Sequence, residues 1–200
     1  MKLFSAPALL FAGALLVATA SAHANTGHGT RSLMTGLVHP FGLDHLLAMV
    51  AVGVWSVVAL PARKAWQGPA VFLLALVLSA ALGVAGVSLP FLEHGIALSV
   101  VLFGLMLVMS TLPWPPALGL ALVALASSLH GLAHGLETPD SGFGGYALGF
   151  LLSTAALHLG GVSLGLFVRR WLGVRSGLAL GGLGAALSVA GMALFGQLAA

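Results

Sequence analysis

From His94 to Leu136 the chain carries no Asp, Glu, Lys or Arg, and similar uncharged stretches run from Ala65 to Leu92 and from Ser141 to Val168. A soluble domain must solvate its outward faces and does not keep such runs. They hold apolar segments near the length of about 20 residues that crosses a bilayer core of about 30 Å. With only 6% of its 200 residues charged, the chain reads as an all-α, multi-pass membrane protein.

The first residues predict a cleavable secretory signal peptide over 1–24. Lys2 supplies the positive start, Leu9 to Ala20 the apolar stretch, and Ala22-His23-Ala24 a small-residue cleavage site, with Ala20-Ser21-Ala22 as a competitor. The alternative is an uncleaved first transmembrane helix. Asn25 onward reads as a flexible polar tail carrying His28, then residues up to 200 as one transmembrane domain. Its apolar segments are Phe41–Leu60, Pro69–Val87, Ile96–Leu112, Ala117–Leu136, Tyr146–Val168 and Gly177–Leu198, a six-helix bundle punctuated by proline, glycine and basic residues. Glycine pairs at Gly83 and Gly86, Gly161 and Gly165, and Gly177 and Gly181 are assigned to close helix packing.

Basic residues fix an expected orientation. Arg63 and Lys64 follow the first helix, and Arg169, Arg170 and Arg175 follow the fifth, so both loops belong in the cytoplasm. Both mature termini are then periplasmic, in the cytoplasmic (inner) membrane. The acidic residues Asp44, Glu93, Glu137 and Asp140 fall at the opposite, outer end. A net charge of +3 with scattered bases is no nucleic-acid footprint. Cysteine is absent, which excludes disulfides, thiolate ligands and cysteine nucleophiles.

Against this apolar background two motifs stand out: His39-Pro40-Phe41-Gly42-Leu43-Asp44-His45 and His130-Gly131-Leu132-Ala133-His134-Gly135-Leu136-Glu137. Ionisable groups at membrane depth are expensive and default to a functional role. His130, His134 and Glu137 recur at i, i+4 and i+7, on one helical face. Imidazole with carboxylate suits a borderline divalent metal. Asp44 either caps the first helix or faces a cation, directly or by orienting His45. Glu93 and His94 form a weaker secondary pair, capping the third helix or gathering cations. His158 is either a satisfied buried histidine or an inner ligand or proton relay.

These motifs resemble the HupE/UreJ family of hydrogenase and urease accessory proteins, and the likeness covers the whole chain. It implies a permease that supplies nickel, or in some relatives cobalt, to metalloenzyme maturation. His39, Asp44, His45, His130, His134 and Glu137 correspond to that family's histidine and acidic motifs. The spacer from Pro40 to Asp44 is shorter by a glycine than in many of its members. Nothing here calls for a prosthetic group; the expected ligand is a transported Ni2+, with Co2+ or Zn2+ as runners-up. The expected partners are the lipid bilayer and maturation proteins. Two other classes remain open at this point. One is a zinc-dependent intramembrane hydrolase holding water in the open position of its zinc, with Ser127 and Ser128 nearby; Gly131 stands where a zincin motif has its glutamate, although Glu137 could substitute. The other is a membrane metal sensor or chaperone without transport.

Overall fold

A computed structural model describes residues 28–138 and 143–198. The expected signal peptide and Asp140 lie outside the described residues. Among the described residues seven α-helices follow one another: α1 His28–Val38, α2 Leu43–Ala59, α3 Gln67–Val84, α4 Leu92–Val108, α5 Pro116–Leu136, α6 Phe143–Leu172 and α7 Ser176–Leu198. Short 3₁₀ turns at His39–Phe41, Ala62–Lys64, Met109–Thr111 and Gly173–Arg175 link or extend them. No strand occurs among the described residues.

Helix α1 is a correction, because its residues read as a polar tail. Its low hydrophobicity hides a packing surface. Gly36 abuts the backbone of Tyr146 and Phe150, Gly149 abuts that of Leu33 and Leu37, and Ser153 Oγ donates to Leu37 O at 2.7 Å. These contacts lay α1 along the start of α6. The chain then bends by 71° and continues as α2. Gly161 abuts Val50, Gly165 abuts Val54 and Val57, and Arg169 Nη1 donates to Val57 O at 2.7 Å. Helices α1 and α2 are thus a bent pair, both packed along α6.

Helix α2 is the core of the molecule. Ala48, Met49, Ala51, Val52, Val54, Trp55 and Val57 are buried on all sides of it, the mark of a helix enclosed by others. Phe72 and Leu76 of α3, Val100 and Phe103 of α4, and Val123 of α5 pack around it. Outward faces stay apolar: Leu74, Leu78 and Leu82 of α3 and Leu178, Val189 and Met192 of α7 are exposed. Such a surface suits lipid and not water. The stretches Ala62–Val84, Leu92–Thr111, Pro116–Leu136 and Phe143–Leu198 are long and apolar enough to cross a membrane, and the bent α1–α2 pair is a fifth candidate. The last stretch holds both α6 and α7, turned at Gly173, whose φ is +49°.

The glycine assignments divide. Gly83 abuts Leu132 and Gly135, Gly131 abuts Leu76 and Ser79, and Gly104 and Gly184 abut one another across α4 and α7. A Cβ at any of these would collide with facing backbone or side chain. Gly86 serves instead to turn the chain after α3, with φ +86°, and Gly181 faces open space. Periodicity alone does not tell a glycine that touches a helix from one that touches nothing.

Candidate metal site

The break between α1 and α2 places the first motif. Pro40 lacks an amide proton and sits buried in the 3₁₀ turn, and Gly42 occupies the N-cap of α2 without a side-chain cap. Asp44 is therefore not the cap of this helix. Its Oδ1 accepts from the backbone N–H of His45 at 2.9 Å and from His45 Nδ1 at 2.8 Å. A carboxylate in that position orients the imidazole and sets which nitrogen carries the proton.

The second motif lies on α5 facing this corner. Thr138 Oγ1 donates to His134 O at 3.0 Å and fastens the helix end that carries Glu137. His39 Nε2 lies 3.3 Å from Glu137 Oε2, and the ring centroids of His39 and His134 are 4.8 Å apart. Donor atoms of His39, His134 and Glu137 all fall within 4.8 Å of one another. Glu137 is exposed and His134 buried, so this trio forms a mouth. One step inward, the His45 ring stands 4.4 Å from that of His134 and 4.7 Å from that of His130. The six residues of the two motifs thus meet in one cluster.

The secondary residues separate. Glu93 is exposed at the start of α4, near enough to Glu137 and Asp44 for their charges to interact. His94 turns away and packs between Phe91 and Phe195, with ring separations of 5.7 and 5.2 Å. His158 does not touch the cluster's imidazoles in any described ring contact. Phe72 stands between, its ring 5.8 Å from that of His130 and 4.7 Å from that of His158.

Partners fix the tautomers. Asp44 accepts from the Nδ1–H of His45, leaving a lone pair on Nε2. Ser99 Oγ donates to Ile96 O at 2.7 Å, so it accepts from His130 Nε2, also at 2.7 Å, and Nδ1 of His130 carries the lone pair. His158 Nδ1 donates to Thr154 O at 2.8 Å, leaving Nε2. Each freed nitrogen is buried without a hydrogen-bond partner, as are both nitrogens of His134, Tyr146 OH and Thr154 Oγ1. A buried polar atom left unpaired costs about 1–3 kcal/mol, and buried polar groups are rarely left so. One lone pair from each of His45, His130 and His134 makes a neutral nitrogen donor set, which fits a borderline divalent cation.

Sequence reasoning passed over the wall of this region. Tyr146, Phe150, Thr154 and His158 recur every fourth residue along α6. Phe150 stacks edge-on against His134 at 4.3 Å, and the Tyr146 ring lies 5.6 Å from that of His39. That spacing was a usable signal, because it ends on a histidine. Ser99 carried none. Ser127 and Ser128 donate to the carbonyls of Val123 and Ala124 and have no imidazole partner.

A family model described as "HupE / UreJ protein" matches residues 10–194. Protein HupE of Rhizobium leguminosarum bv. viciae is 39% identical over 153 residues, covering 76% of this chain and 79% of that protein. No solved structure matches.

Proposed function

The chain belongs to the HupE/UreJ family, and from that premise and its histidine cluster we propose a secondary permease for a divalent transition metal, nickel before cobalt or zinc, that supplies hydrogenase or urease maturation. The multi-pass fold would sit in the cytoplasmic membrane with six crossings, the bent α1–α2 pair counting as one. The acidic end would face the periplasm and the arginine end the cytoplasm.

The observation that carries this reading is the set of unpartnered, buried imidazole nitrogens behind a partly exposed mouth. Glu93 and Glu137 draw the cation in. His39, His134 and Glu137 replace part of its hydration. His134 faces His39 on one side and His45 on the other, so its single lone pair hands the ion inward to His45 Nε2 and His130 Nδ1. Asp44 balances the charge from one bond away. Neutral imidazoles bind a divalent ion firmly enough to strip water yet release it more readily than thiolates would. The hydroxyls of Ser127 and Ser128 are committed to backbone carbonyls, so neither joins the imidazole cluster.

Radioactive nickel uptake tests the reading. Cells expressing His39→Ala, Asp44→Asn, His130→Ala or His134→Ala at wild-type levels should accumulate nickel no faster than cells lacking the protein. Uptake equal to wild type in all four would refute the site.

A further inference from the structure

Past Phe72 lies a second group of polar atoms that the mouth does not use. His158 is 1% exposed and Thr154 not exposed at all. The proton on His158 Nδ1 is held by Thr154 O, so Nε2 presents a lone pair, and it meets no partner. Thr154 Oγ1 is also unpartnered. That is a departure from habit, because a threonine inside a helix ordinarily returns its hydroxyl to the carbonyl one turn back, as Ser56, Ser79 and Ser127 do here. The two side chains are one turn apart on the same face of α6, at the inner end of the Tyr146–Phe150–Thr154–His158 ladder. The apolar ring of Phe72 lies between them and His130. Helix α2 closes the back, with Gly53 against His158 O.

We propose that His158 Nε2 and Thr154 Oγ1 form a second, inner stop for a partly hydrated divalent cation, reached only after the cluster of His45, His130 and His134. The proposal rests on the permease reading above. Two neutral donors replace few waters, so this stop binds weakly. Weak binding is what a transit point needs, since an ion must leave it as readily as it arrives. None of the described carboxylates Asp44, Glu93 and Glu137 belongs to it: His45 holds Asp44, His39 lies beside Glu137, and Glu93 sits at the start of α4, all in or beside the outer cluster.

The test uses the full chain in chelator-loaded proteoliposomes with radioactive Ni2+ outside, alongside calorimetric Ni2+ binding in detergent. The His158→Ala variant should bind Ni2+ at the mouth within about threefold of wild type while its flux falls about tenfold or more, a loss of passage without loss of capture. Thr154→Val, nearly isosteric, should lose about threefold in flux, and the double variant should be no slower than His158→Ala, since both act on one stop. Wild-type flux in both single variants overturns the inner stop and leaves the mouth standing. So does an equal loss of binding and flux in both, which reports a distorted helix. If His158→Ala cannot be purified, Thr154→Val decides on the same two measurements. Wild-type protein that binds Ni2+ but passes none overturns the permease reading itself, and the inner stop with it.

Discussion

At the scale of single residues, the chemistry turns on which nitrogen each imidazole presents. Asp44→Asn preserves size but offers His45 an amide that can donate as well as accept, so the tautomer is no longer held. Nickel affinity should fall about 10- to 100-fold, measured by calorimetry; an unchanged affinity would show that Asp44 does not orient His45. Ser99→Ala acts on His130 in the same manner and leaves its Nε2 proton buried without an acceptor, at about 1–3 kcal/mol. Thermal unfolding in detergent should register that loss, and a melting point unmoved from wild type would show that the bond contributes nothing. The residues of both motifs were legible in the sequence because charge is conspicuous where almost none exists. Phe72, Phe150 and Tyr146 were not, since an aromatic on an apolar helix is ordinary core until its neighbour is known. Thr154 was hidden similarly, as its missing hydrogen bond exists only in three dimensions.

At the scale of elements, close helix contacts set the spacing of the cluster. Gly131 lies between His130 and His134 and abuts Leu76 O and Ser79 of α3. Gly131→Ala must force α3 and α5 apart, at about 1–3 kcal/mol, and should weaken nickel binding as the two histidines shift. Gly181→Ala meets no atom and should leave both unchanged. If detergent unfolding shows the two substitutions to be equally mild, the packing argument for Gly131 fails. The apolar helices α2 to α7 were readable from hydropathy, with ends displaced by a few residues; α6 runs on to Leu172, beyond the expected Val168. Helix α1 was not readable. Its 11 residues are too polar on average to signal a buried element, and what holds them is a pair of reciprocal glycines more than 100 positions apart in sequence. A local pattern cannot report a contact of that range.

For the molecule as a whole, charge is sorted to opposite ends. Arg63 and Lys64 follow α2, Arg169 and Arg170 lie in the last turn of α6 and Arg175 just beyond it, whereas Asp44, Glu93 and Glu137 gather at the far side, Arg31 of α1 being the exception among the bases. A periplasm-dependent reporter fused after Lys64 should therefore be silent and one fused after Leu198 active; the reverse pattern would invert the direction of transport. The preset tautomers carry a further, electrical consequence. His45 and His130 each present a lone pair without giving up a proton, so an arriving cation releases none from them and takes its full double charge through. An inside-negative voltage would then pull the ion at about 2.3 kcal/mol per charge for every 100 mV, hence about 4.6 kcal/mol for a divalent ion, enough to concentrate it more than roughly a thousandfold. The device would work as a current-carrying conductor, and collapsing the voltage with an ionophore should abolish accumulation even at constant pH.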